Sequence, residues 1–232
     1  MSHAEHLTPE LFVQELAEVE LEDVFNPYAQ ICALYDREDA DDLRRVNLTL
    51  SLQKAIDLNV RTIWIARDLG YRGGRRTGLA LTDEAHLQAF STLLDGVPVT
   101  RATKGPEVGE RTASTIWRML ERIDEPIFLW NVFPLHPHEK GEPMSNRRHT
   151  SKERKTCAHF LHALISMLKP EKVVAIGGDA HKAAGDLGIS TVKVRHPSYG
   201  GQNDFIQQIS HAYEIEVTSR QLDMFDMEFL PQ

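Results

Sequence analysis

Three short apolar runs constrain this chain more than any other feature. They are Ile63-Trp64-Ile65-Ala66, Ile127-Phe128-Leu129-Trp130 and Val173-Val174-Ala175-Ile176. Each lacks the polar alternation of a strand with one wet face, so each must be covered on both faces. The predicted strands cover 61–66, 127–131 and 172–176, with a shorter fourth at 192–194. Helical patterns separate them at 83–94, 111–123, 151–168 and 179–187. This alternation predicts an α/β fold: a three-layer α/β/α sandwich with a four-stranded parallel central sheet. Upstream, a helix is expected over 8–23, with Thr8 as N-cap and Pro9 at the first helical position, and another over 39–58. Helices at 202–213 and 219–228 close the sequence. A length of 232 residues suits one domain. Within it we read an N-terminal helical segment (1–58), a core (60–212) and a C-terminal helix and tail (213–232).

The net charge of −8 argues at first against a nucleic-acid partner. Its distribution reverses the argument. Residues 1–45 carry 12 of the 34 acids and 3 of the 26 bases, so the remainder is nearly neutral at +1. Phosphate affinity follows local clusters rather than totals. Two cysteines, Cys32 and Cys157, cannot supply a four-cysteine zinc or iron–sulfur site. We expect free thiols and a cytoplasmic protein. No apolar run is long enough to span a membrane, and the first residues lack a secretory layout.

In parallel sheets the ligand sits beyond the carboxyl ends of the strands, so the segments after each strand are the places to look. After the first comes Arg67-Asp68-Leu69-Gly70-Tyr71-Arg72-Gly73-Gly74-Arg75-Arg76-Thr77-Gly78. Four glycines and four arginines suit phosphate contact, or equally a solvated loop. Asn131 ends the second strand, where its amide offers both a donor and an acceptor to a planar ligand. Turn formation is the plainer alternative. His136-Pro137-His138-Glu139 has metal-like letters on a Pro-bent loop, and we read it as a loop histidine pair. Arg147-Arg148-His149, with Lys152, Arg154 and Lys155, is either a backbone grip or a solvated helix end. Gly177-Gly178 reads as a structural β–α turn. His196, placed by Pro197 after the last strand, suits a donor to developing negative charge.

Taken in order, these segments resemble the uracil-DNA glycosylase superfamily. The stretch from Ala66 to Gly78 looks like its first motif. Leu129-Trp130-Asn131 is similar to the strand ending in the base-reading Asn, and His196-Pro197-Ser198 to the closing motif. Lys169-Pro170-Glu171-Lys172-Val173-Val174-Ala175-Ile176-Gly177 is similar to the third strand and its turn. The resemblance covers roughly 60–212. Departures are Ala66 and Leu69 for a Gly and a Pro, Leu81 where a stacking Phe is usual, and Tyr199-Gly200 for a Pro-Leu wedge. The resemblance implies a divergent branch without an iron–sulfur cluster.

What the resemblance implies is a monofunctional glycosylase of base excision repair. It flips uracil from single- or double-stranded DNA, hydrolyses the N-glycosidic bond, and releases free uracil from an abasic site. Asp68 is expected to orient water and His196 to donate to uracil O2. Asn131 would read the base edge, with Tyr71 or Phe133 stacking on it. Arg72, Arg75, Arg76, Arg147 and Arg148 would bind phosphates. Ser198, Tyr199, Gly200 and Gln202 would enter the minor groove, with Tyr199 filling the vacated stack. No metal or organic cofactor, no membrane and a monomer are expected. Alternative readings are excision of hypoxanthine or xanthine, non-catalytic binding of uracil or abasic DNA, and nucleoside chemistry.

Overall fold

The computed structural model describes residues 7–216. The helix expected at 219–228 lies outside them. Helix α1 (Pro9–Ala17) starts on Thr8, whose hydroxyl accepts the Leu11 amide, with Pro9 in its first turn. It ends earlier than its apolar pattern suggests. Asp23 turns the chain with a left-handed φ of 53°, and Val24–Phe25 form strand β1 instead. Helix α2 (Ala40–Asp57) leads to β2 (Thr62–Asp68). A single-turn helix α3 (Gly74–Thr77), a 3-10 turn (Glu84–His86), α4 (Leu87–Leu93) and α5 (Arg111–Leu120) follow. Then come β3 (Ile127–Phe133), β4 (His136–Pro137), α6 (Ser151–Leu168) and β5 (Lys172–Ile176). Helix α7 (Gly178–Asp186), β6 (Val192–Val194) and α8 (Gln202–Ala212) complete the order.

The central sheet is four-stranded and parallel, in the order β3-β2-β5-β6. All of β3 and the first five residues of β2 are buried, as strands covered on both faces must be. Helices flank the sheet as the three-layer reading requires. Strands β2 and β3 each run two residues further than the expected ranges. The register pairs Ala66 with Asn131 and Asp68 with Phe133, so ladder pairing carries a charged residue to the sheet's carboxyl end. A second sheet, β1 with β4, is antiparallel and two-stranded. Two-residue strands give no periodic signal, so this ribbon is not legible in the sequence.

The acidic N-terminal segment packs against the core. Phe12 of α1 lies 5.4 Å from Trp130 and 5.3 Å from Phe160, ring to ring. Asp36 and Arg44 form a fully buried ion pair. Arg44 Nε also donates to the Arg76 carbonyl (2.9 Å), and the Tyr28 hydroxyl donates to the Gly78 carbonyl (2.7 Å). The segment therefore clamps the loop after β2. Cys32 and Cys157 are buried free thiols. Among the described residues no helix is long and apolar enough to cross a membrane.

Candidate active site

A cleft of about 470 Å³ opens at the carboxyl end of the sheet, where ligands of open α/β sheets bind. Its walls include Asp68, Asn131, Gly177, His196, Leu81 and Glu110. Gly177 is more than a turn. Its φ of +92° favours glycine, and a Cβ there would stand 3.3 Å from the Cβ of His196. Its bareness lets the β5–α7 turn approach the histidine closely.

Asn131 is 1% exposed, yet its Oδ1 has no hydrogen-bond partner. An unpaired buried acceptor costs about 1–3 kcal/mol. One that lines a cleft is free to be satisfied by a ligand. His196 is held by Ser198, whose hydroxyl lies 2.7 Å and whose amide lies 3.2 Å from Nδ1. The amide can only donate, so Nδ1 accepts and the ring proton sits on Nε2. Burial, with Arg67 and Arg195 nearby, pulls His196 down to about 4. The site therefore holds a neutral imidazole whose Nε2–H is its donor.

Asp68 is nearly buried at the end of β2. His149 Nδ1 donates to its Oδ1 and Arg67 Nε to its Oδ2. Arg67 also reaches Asp179 (3.4 Å), and Arg148 ion-pairs with the same carboxylate (3.0 Å). His149 rests against Phe133, with ring centroids 5.4 Å apart. His149, Asn146 and Glu110 went unassigned in the sequence. The stretch 147–149 stood out for its charge alone, which says nothing of a ring nitrogen aimed at Asp68. Asn146 and Glu110 lie in segments with no periodic pattern.

The cleft brings together Asp68, Asn131, His196, Ser198, Tyr199, Arg147 and Arg148. Tyr199 is 98% exposed at the rim, and Gly200 beside it has a φ of +72°. Arg72 is also exposed, its Nε donating to the Tyr71 hydroxyl (2.9 Å). Arg147 is bound to Glu153 at 2.7 Å and helps build the capping box that starts α6. Gln202 begins α8 and donates to Thr115 Oγ1 (2.9 Å), away from the cleft lining.

Several expectations need correction. Arg75 and Arg76 are 2% and 7% exposed, and neither offers a guanidinium to a phosphate. Arg75 stacks on Phe25 (3.8 Å) and donates to His136 Nδ1 (2.9 Å) and the Pro143 carbonyl (2.8 Å). Arg76 stacks on Tyr35 (4.0 Å) and pairs with Glu84 (3.0 Å). Aromatic rings of the N-terminal segment have drawn both inward. His136 is buried, with its other nitrogen donating to the Ser145 carbonyl (2.9 Å). Phe133 is fully buried, and neither it nor Tyr71 lines the cleft. Aliphatic side chains do so instead, from Leu81, Ala113, Ile116 and Ile176. Leu81 holds a left-handed φ of 58°, and its carbonyl accepts from Trp117 Nε1 (3.1 Å).

The sequence model of the uracil DNA glycosylase superfamily matches residues 54–214. Among solved structures, SMUG2 of Pedobacter heparinus superposes with a TM-score of 0.59 at 13% identity, covering 90% of this chain and 98% of that one. At that identity the likeness concerns the fold. No curated protein sequence matches the chain.

Proposed function

Because this chain belongs to the uracil DNA glycosylase superfamily and is a DNA glycosylase, we propose that uracil is a base it removes. The observation that carries this reading is the unpartnered, buried Oδ1 of Asn131 in the cleft. A uracil flipped into the cleft offers N3–H to that oxygen and O4 to the amide NH₂. Cytosine presents the reverse pattern at this edge, and a fixed amide disfavours it. The base face rests on aliphatic carbon, since Leu81 and Ile116 replace an aromatic platform.

In this reading the C1′–N1 bond breaks and its electron pair goes to the base. Negative charge grows on uracil O2, where the neutral His196 supplies its Nε2–H. A donor placed before the charge develops needs no reorganisation. Positive charge grows on the sugar, and Asp68 stabilises it and orients water. His149 and Arg67 hold the two oxygens of Asp68, which makes them positioning residues. The water oxygen bonds to C1′, and a water proton ends on the departed base. DNA is gripped from the exposed side of the cleft by Arg148 and Arg72, and Tyr199 fills the vacated stack.

Alkaline cleavage of a labelled oligonucleotide with one uracil tests the proposal. Wild type is expected to leave an abasic site that alkali cleaves, and Asp68→Asn, Asn131→Ala and His196→Ala each to lose about 10²–10³-fold. No cleavage by wild type, or full activity in Asn131→Ala, would sink the uracil reading.

A further inference from the structure

Four charged side chains run in series along the cleft, and all four line it: Arg148, Asp179, Arg67 and Asp68. Both arginines meet Asp179 on a single oxygen. Arg148 lies 3.0 Å and Arg67 Nη1 3.4 Å from Oδ2. Arg67 Nε donates at the same time to Asp68 Oδ2. The series begins in solvent, with Arg148 66% exposed, and ends on Asp68, 5% exposed.

Asp179 is out of place on a surface that grips DNA, because a carboxylate repels phosphates. Its position in the first turn of α7 offers a plain structural use, since the helix dipole favours an acid there. That use requires no contact with either arginine. The contacts matter for Asp68. The sugar becomes positive as the C1′–N1 bond breaks, and a guanidinium held against Asp68 offsets the negative charge meant to stabilise it. A pull on Arg67 away from Asp68 therefore favours the reaction. Asp179 exerts that pull, but divides it between Arg67 and Arg148. A DNA phosphate that takes Arg148 leaves Asp179 to Arg67.

We infer that Asp179 is a positioning residue that links the phosphate grip to the catalytic carboxylate. With Arg148 on a phosphate, Asp179 draws Arg67 toward itself and bares Asp68 Oδ2 to the sugar and its water. His149 keeps its hold on Oδ1. The charge that drives bond cleavage is then released where DNA is bound. This inference rests on the glycosylase reading above.

The test separates binding from chemistry. Single-turnover excision from a one-uracil duplex is measured at saturating enzyme, beside the affinity for a uracil-free duplex of the same sequence. Asp179→Asn keeps the shape of the side chain and removes its charge. It is expected to bind DNA more tightly, because a repulsive charge is gone and Arg148 is released. It is also expected to lower the saturated rate about tenfold, because Arg67 stays on Asp68. Asp179→Glu is expected to recover most of that rate. In an Arg67→Gln background, which has no guanidinium to draw away, Asp179→Asn should not slow excision further. Slower excision with weaker binding would mark a residue that serves only the fold, and would overturn the inference. Full rate in Asp179→Asn, or an equal loss in the Arg67→Gln background, would overturn it with the uracil reading intact. No excision by wild type would overturn both.

Discussion

Two arginine pairs of this molecule have nearly the same local composition and opposite destinations. Arg75-Arg76 sits in the glycine-rich loop after β2, and Arg147-Arg148 just ahead of α6. The first pair is buried, on the rings of Phe25 and Tyr35 and against His136 and Glu84. In the second pair Arg147 is held by Glu153 in the first turn of α6, while Arg148 is left with a side chain 66% exposed at the cleft. A cluster of cations therefore reports an anion site only when nothing else in the fold competes for the guanidinium. Here the competitor is the N-terminal segment. Its rings, Phe25 and Tyr35, come from far away in sequence.

That contrast can be broken or sharpened by mutation. The largest expected effect lies where the N-terminal segment grips the loop. Arg44→Ala leaves Asp36 buried without its partner and should cost about 3–5 kcal/mol, read from the urea midpoint. Arg76→Ala should cost about 1–3 kcal/mol, a smaller loss because Glu84 keeps Arg101 and Thr103. If Arg76→Ala instead keeps full stability and weakens DNA binding, the loop arginines face DNA after all. Arg148→Ala should leave stability within about 0.5 kcal/mol and reduce the salt dependence of DNA binding by about one phosphate contact. An unchanged salt slope would remove Arg148 from the DNA face. Tyr199→Ala should also fold normally. It should slow uracil excision from duplex more than from single strands, because only a duplex needs its vacated stack filled. Equal slowing on both would reassign the residue.

The pH response probes the two buried histidines. His136 and His196 are held at about 3 and about 4 in the fold, below the ordinary 6.5, by burial and neighbouring arginines. Between 6.5 and those values the unfolded chain binds more protons, so stability falls as pH falls through that window. Thermal midpoints at pH 7, 6 and 5 should decline, and His136→Gln should shrink the decline. Excision should show no imidazole step near pH 6.5, since His196 acts in its neutral form. A step of His196 there would contradict its neutral form.

The strands were legible because burial on both faces writes itself as continuous apolar letters, and β–α alternation admits few topologies. Asp68, Asn131 and His196 were legible because each lies at or just past the end of an apolar run, where a parallel sheet presents its ligand. Asn146, His149 and Glu110 were not. Asn146 and Glu110 reach the cleft, and His149 reaches Asp68, from a loop or a helix start, and the meaning of each depends on what it meets there. The short β1–β4 ribbon was equally silent, two residues being too few for a period.

By itself, then, the sequence determined the parallel sheet, the edge where the cleft opens, and three of the residues on its walls. These follow from local rules: apolar runs bury, strands alternate with helices, and ligands gather at carboxyl ends. Only the tertiary structure decided which arginines turn inward, that Leu81, Ala113, Ile116 and Ile176 line the cleft where Tyr71 and Phe133 do not, and that Glu110 stands over a bare glycine turn. Those outcomes depend on long-range contacts, in which a ring or carbonyl distant in sequence competes for the same side chain.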